Sequence, residues 1–210
     1  MTVDGPSGTG KSTVSKAVAK GAGLPHLDTG AFYRAVTLAV LRAGVDPTDG
    51  QSVSRIAAAL DLGQEEGRMF LDGADVSEEI RQDDVTTAVS AVSAHSEVRA
   101  HLVEMQRSWV AEHGRRGVVE GRDIGSVVFP DATLKIFLDA APEVRAARRA
   151  GETGENLEDV LADINRRDHF DSSRAASPLI VPDGAVVVDT SEFTFDQVVA
   201  RLLALIRAKS

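Results

Sequence analysis

The sequence predicts an α/β fold, a five-stranded parallel sheet flanked by helices, and three observations lead to it. Short apolar runs alternate with helical patterns along the 210 residues, the alternation that builds parallel sheets. The runs are bounded by glycine, proline or aspartate, and several are continuously apolar, as strands buried on both faces are. Gly-Pro-Ser-Gly-Thr-Gly-Lys-Ser at residues 5–12 fits the phosphate-binding loop pattern G-x-x-x-x-G-K-[ST], lying between apolar Thr2-Val3 and an amphipathic helix.

Taken in order, residues 2–4, 24–27, 117–120, 133–138 and 185–188 read as the strands. The first is short, because strands usually run about five residues; this predicts that the natural protein begins upstream of Met1. A helix over 11–20 follows the loop. In open α/β sheets ligands sit at the carboxyl ends of strands. Gly5, Asp28-Thr29-Gly30, Gly121-Arg122-Asp123 and Asp139 each follow a strand directly. Residues 45–93 interrupt the alternation: a helix pattern through Val53, Ile56 and Leu60 leads into candidate strands 60–62, 68–71 and 74–76, separated by Glu66-Gly67 and Asp72-Gly73. An Asp-Gly pair between short strands is a hairpin signal, so this segment reads as a small antiparallel sheet inserted in one domain spanning 1–210. A polar, glycine-containing tip at 151–155, between an arginine-rich helix begun at Pro142 and one capped by Asn156, predicts a lid over 149–157. The last helix opens with a Thr194–Gln197 capping box and repeats Val198, Leu202, Leu205 and Ile206, a core-packing stripe. Val98, Leu102, Met105 and Trp109 form a similar face.

Composition narrows the function. The apolar fraction of 43% supports one well-buried core, and no apolar run is long enough for a membrane span. No secretory leader is read, since Met1 leads straight into the loop. Without cysteine there is no disulfide, thiolate metal site or cysteine nucleophile. The five histidines share no metal-ligand spacing. A formal charge of -9 argues against a nucleic-acid polymer as partner, which needs a basic surface. Yet arginines gather at Arg34, Arg99 and Arg122, and again at Arg145, Arg148, Arg149, Arg166, Arg167 and Arg174, suggesting local anion sites. Arg115 and Arg116 fit a solvated helix face better.

The loop defines the donor site. Glycines at Gly5, Gly8 and Gly10 allow backbone N–H groups to turn inward around a phosphate, and the following helix adds its positive end. Gly5, Pro6, Ser7, Gly8, Thr9, Gly10, Lys11, Ser12 and Thr13 are therefore the expected ATP-binding residues. Lys11 would reach the outer phosphates and the Ser12 hydroxyl would meet magnesium. Arg145 and Arg149 share a helix face and could close over ATP; the sequence does not decide which does so.

Three further motifs resemble signatures of the bacterial cytidylate kinases, a family of P-loop kinases for nucleoside monophosphates. They are Asp28-Thr29-Gly30-Ala31-Phe32-Tyr33-Arg34, then Glu120-Gly121-Arg122-Asp123-Ile124-Gly125 with Val127-Val128-Phe129-Pro130-Asp131-Ala132, and Arg167 through Asp171 to Arg174-Ala175. With the loop, the resemblance runs nearly end to end. It implies an ATP-dependent transfer to the phosphate of CMP or dCMP. Arg34 would hold the acceptor phosphate beside Thr29 and Tyr33, and Arg122 would grip the same phosphate. Asp123 would accept from the cytosine amino group, with Ser90 and Arg99 as further base-reading positions. Asp171 would accept from the ribose hydroxyls, oriented by Arg167, and Arg174 would bridge the phosphates. Lys11, Arg122, Arg149 and Arg174 would then be the catalytic cations. Spacing i, i+4, i+7 places Arg167, Asp171 and Arg174 on one helix face, although an Asp163–Arg167–Asp171 ladder on a solvated helix would look the same.

The acceptor oxygen is already ionised near neutral pH, so no general base is required; alignment and charge neutralisation carry the reaction. The lid and insert are expected to close once CMP is bound, which keeps water from ATP. Phe32 and Ser126 depart mildly from the family's commoner residues and affect no assigned role. A nucleotide-dependent switch is the reading from another class, but the guanine-specific Asn-Lys-x-Asp is absent from the chain. Dependence on ATP would place the protein in the cytoplasm, and the resemblance further implies a monomer.

Overall fold

The computed structural model describes residues 1–174 and 177–209. In chain order the elements are β1 (Thr2–Asp4), α1 (Lys11–Ala22), β2 (His26–Asp28), α2 (Thr29–Arg42), α3 (Gly50–Ala57), β3 (Leu62–Glu65), β4 (Arg68–Leu71) and β5 (Ala74–Asp75). There follow α4 (Asp83–Ala94), α5 (Ser96–Glu112), β6 (Val118–Glu120), β7 (Lys135–Asp139), α6 (Pro142–Thr153), α7 (Leu157–Ser173), β8 (Val186–Asp189) and α8 (Phe195–Arg207). A 3₁₀ turn, Glu79–Arg81, and a π-helical turn, Ile124–Val128, complete them. Two compact units result: Met1–His26 with Arg116–Ser210, and Leu27–Arg115.

The larger sheet has strand order β2-β6-β1-β7-β8, with parallel ladders on both sides of β1. Its five parallel strands are those read from the sequence, each shifted by at most two residues. The chain passes from β1 to one side of the sheet and later crosses to the other. The loop after β1 therefore sits at the topological switch point, where α/β sheets bind ligands. Val14 and Val18 of α1 and Val198 and Leu202 of α8 bury against Val3, Ile136, Leu138 and Val188. Ala146 of α6 packs with Val160 and Ile164 of α7. The capping box at Thr194 and Gln197 forms as its residue types dictate. Among the described residues, no helix is long and apolar enough to cross a membrane.

The unit Leu27–Arg115 holds the three-stranded antiparallel sheet β3-β4-β5. Both of its turns are two residues long with positive φ throughout: Glu66 at 50° and Gly67 at 77°, Asp72 at 49° and Gly73 at 79°. These turns twist in the sense that strands require, and they set the register. The first strand is accordingly Leu62–Glu65, later than the 60–62 expected. Pairing Glu65 with Arg68 and Leu62 with Leu71 draws in the poor strand formers Gly63 and Gln64. Tertiary pairing overrides propensity here.

Two other expectations are corrected. Helix α6 continues through Gly151 to Thr153, so the tip between α6 and α7 comprises only residues 154–156. Gly154, at φ 76°, supplies the left-handed C-cap, and the Asn156 side chain accepts from Glu158 N and Asp159 N. Helix α7 ends at Ser173; Arg174 has φ -57° and ψ 133°. Arg174 therefore leaves the helix and does not extend the Arg167–Asp171 face as the i+7 spacing predicted. The Ala175 that closes this motif lies outside the described residues.

Candidate active site

The phosphate loop is built around a backbone approach that only glycine allows. A Cβ on Gly5, at φ 148°, would lie 2.0 Å from the carbonyl oxygen of Leu138 on β7. Gly8 and Gly10 also have positive φ. Lys11 turns its ammonium onto the loop, donating to Pro6 O at 2.6 Å and to Thr9 Oγ1 at 3.4 Å. Thr9 Oγ1 donates to the same carbonyl at 3.1 Å. Lys11 is buried, and burial pushes its proton affinity well below the ordinary lysine value, with the Arg122 cation adding to the effect. Ser12 and Thr13, in the first turn of α1, are exposed.

The loop is also held from behind. Arg145 of α6 is 3% exposed. It donates to Ala140 O at 2.8 Å and Ser7 O at 2.9 Å, and it pairs with Asp168 Oδ2 at 2.6 Å. Asp168 Oδ1 accepts from Ser7 N at 3.4 Å. Arg145 thus ties Ser7 of the loop to Ala140 and to Asp168, whereas Arg149 is half-buried on the same helix.

The turn after β6 carries Arg122 and Asp123. Arg122 Nε donates to Asp171 Oδ2 at 2.9 Å, and Asp171 Oδ1 lies 3.0 Å from Arg174 Nη2. Asp171 therefore brings together two arginines distant in sequence, and the ion partner of Arg122 is Asp171, not its neighbour Asp123. Arg167 Nη1 lies 3.9 Å from Asp163 Oδ2. Burial, followed by repulsion from Arg122, pushes its proton affinity down. Asp171 pairs with Arg122 and favours the charged forms of Lys11 and Arg167, while Arg122 disfavours both of those cations. Such a cluster is relieved by an incoming anion. Asp123 is 4% exposed.

The unit Leu27–Arg115 carries the other expected acceptor residues. The Asp28 side chain caps α2 by accepting from Ala31 N, and Thr29 and Tyr33 sit within the first turns. Asp28 N donates to Gln64 Oε1 of β3 at 2.9 Å. Arg34 Nη1 donates to Thr86 Oγ1 at 2.8 Å and to Ile80 O at 3.1 Å. The Arg99 guanidinium lies 5.3 Å from the centre of the Tyr33 ring and donates to Ser93 O at 3.3 Å. Ser90, half-buried on α4, receives the Ser93 hydroxyl on its carbonyl at 3.0 Å.

Several participants have no role assigned by the sequence. Asp4 is fully buried, and its two oxygens accept from Ile124 N and Gly125 N, each at 2.7 Å. Burial pushes its carboxyl up to about 6, partly offset by those N–H groups. Its one signal is a charge closing an otherwise apolar strand. Glu120, at the end of β6, meets His26 Nε2 at 3.0 Å and bears on the Lys11 ammonium. Asp168 and Thr86 had no signal beyond lying on helices near arginines.

The Gly5–Lys11 loop at the switch point of a β2-β6-β1-β7-β8 sheet, with a separate antiparallel sheet, defines a P-loop kinase fold. Solved structures agree at the level of fold. A sugar kinase from Janibacter superposes with TM-score 0.51 at 16% identity, covering 98% of this chain and 92% of that one. The protein TT1252 from Thermus thermophilus gives TM-score 0.51 at 18% identity, with 99% and 95% coverage. Sequence comparison is more specific. The family described as cytidylate kinase matches residues 1–208. Cytidylate kinases from Mycobacterium leprae and Mycolicibacterium paratuberculosis are 50% and 52% identical, each over 100% of this chain and 96% of the relative. The chain belongs to the cytidylate kinase family.

Proposed function

We propose that this chain transfers the terminal phosphoryl group of ATP to the phosphate of CMP or dCMP, releasing ADP and CDP or dCDP. The observation that carries the reading is the gathering of Arg122 and Arg174 on the carboxylate of Asp171, with Lys11 on the phosphate loop and both Lys11 and Arg167 repelled by Arg122. An acceptor phosphate oxygen attacks the γ-phosphorus, and the bond to the β–γ bridging oxygen breaks. Negative charge moves toward ADP, and fixed cations favour that redistribution.

Residues 5–13 hold the donor phosphates, with Arg145 shaping the loop from behind and Arg149 reaching the nucleotide. Arg122 and Arg34 hold the acceptor phosphate, with Thr29 and Tyr33 beside Arg34. Asp123, Ser90 and Arg99 read the base; a carboxylate facing the cytosine amino group rejects uracil, which offers no proton there. Asp171 accepts from the ribose, Arg167 orients it and Arg174 bridges the phosphates. Segment 45–93 is the monophosphate-binding insert and 149–157 the lid.

Magnesium fits the donor side. Mg²⁺ retains several waters and takes few protein ligands besides substrate phosphates, and the exposed Ser12 hydroxyl at the start of α1 provides one hard oxygen. When bound, the ion neutralises phosphate charge. The expected setting is the cytoplasm, as a monomer in pyrimidine nucleotide metabolism.

The reading is tested by measuring ADP formed from magnesium ATP with CMP, dCMP, UMP, AMP or dTMP offered singly, and with no acceptor. Turnover with CMP and dCMP is expected. Turnover led by another nucleotide would overturn the base-reading assignment, and hydrolysis without any acceptor preference would favour a switch. Replacing Asp171 by alanine is expected to weaken CMP by about tenfold or more and dCMP by less, because dCMP has one ribose hydroxyl fewer to lose. Equal penalties would remove Asp171 from the ribose.

A further inference from the structure

We infer that Asp4 is a positioning residue for the acceptor nucleotide, fixing the turn that bears Arg122 and Asp123 to the root of the phosphate loop. This rests on the CMP kinase reading above. Asp4 is the last residue of β1 and immediately precedes Gly5. Its side chain joins that point to a turn 120 residues away, through Oδ1 to Ile124 N and Oδ2 to Gly125 N.

Backbone pairing cannot make this connection. The β1–β6 ladder ends with Val3 opposite Glu120, and Gly121 N donating to Val3 O at 3.0 Å is the next backbone bond. Beyond it one chain enters the phosphate loop and the other enters the turn. Asp4 bridges the two where the ladder stops. A carboxylate suits the task because both donors are N–H groups, and a side chain of this length offers two acceptor oxygens and no donor only when it is ionised aspartate. The two donors belong to the residues directly after Asp123, so the grip fixes the backbone that aims the base-reading carboxylate. The surroundings leave little slack: a Cβ on Gly125 would come within 2.8 Å of Thr2 Oγ1, 3.1 Å of Asp4 Oδ2 and 3.1 Å of Pro182 Cγ. Misplacing a substrate-binding group by about 1 Å costs on the order of a hundredfold in rate.

Asp4→Asn keeps the volume but turns one acceptor into an NH₂ facing an N–H. Steady-state kinetics with CMP and UMP, equilibrium binding of ATP, and thermal unfolding are measured on this variant and on the unaltered protein. The expected result is a fall of about 10- to 100-fold in kcat/KM for CMP. ATP affinity should hold within about threefold, and the preference for CMP over UMP should narrow by about tenfold. Unchanged kinetics with only a lower Tm would overturn the inference, because a purely structural carboxylate has that signature. Equal losses for ATP and CMP would overturn it too, assigning Asp4 to the loop alone. Should Asp4→Asn not fold, Gly125→Ala perturbs the same contact without altering the charge, and the same kinetic pattern is required of it. If the unaltered protein does not phosphorylate CMP, the functional reading fails; if it does and both variants match it, only the role of Asp4 fails.

Discussion

Replacing Arg122 by alanine is expected to lower turnover with CMP by about 100- to 1,000-fold while leaving ATP affinity nearly intact. The magnitude is that of removing one preorganised donor from a site where charge moves in the transition state. The direction follows from the surroundings of Arg122. Its one ion partner shown is Asp171, at 2.9 Å, and Asp171 keeps Arg174 at 3.0 Å when Arg122 is gone. No buried carboxylate is then left without a cation. Arg122 also repels Lys11 and Arg167, so its loss relieves strain in the cluster and should not lower Tm. A folded, ATP-binding, slow enzyme is the expected outcome. An equal loss of ATP affinity would place Arg122 on the donor side instead. Lysine should restore little, since it offers a point charge where a planar fork is needed.

The contrast between Arg122 and Asp4 shows which parts of the site were legible in sequence. Arg122 stands in a glycine-flanked motif at a strand end, and the loop at residues 5–12 has a fixed pattern, because backbone N–H groups can surround a phosphate in few ways. The parallel strands were legible for a similar reason: burial on both faces leaves continuous apolar runs. Asp4, Thr86 and Asp168 act through partners 120, 52 and 23 residues away, and no local pattern encodes such a partner. The departures of the structure from the sequence pattern share that cause. Strand β3 lies later than 60–62 because register is set by the turn at Glu66-Gly67 and not by the propensity of Gly63 or Gln64. Arg174 fitted a helical spacing, but helix α7 stops at Ser173, before it. Arg145 and Arg149 share a face on α6, yet only burial separates their environments: one is locked to Ser7 and Asp168, the other is half-open.

Substituting methionine for Lys11 is expected to separate stability from function most sharply. Turnover should fall by about a thousandfold if Lys11 meets the phosphates that take up charge during transfer, as proposed, and ATP should bind more weakly. The fold should gain or stay level. Lys11 is buried, its charged form is disfavoured by that burial, and Arg122 disfavours it further. Replacing a buried charge with an apolar side chain of similar length removes a desolvation cost. The carbonyl of Pro6 loses the ammonium at 2.6 Å but keeps the Thr9 hydroxyl at 3.1 Å, so no acceptor is orphaned. Thermal unfolding without nucleotide should therefore give a Tm equal to or above that of the unaltered chain, and the stabilisation that ATP adds should shrink. A lower Tm in the absence of nucleotide would mean that Lys11 holds the loop together. A higher Tm with lost turnover would mean that the fold carries this cation at its own expense, in a position where only a phosphate makes its charge favourable.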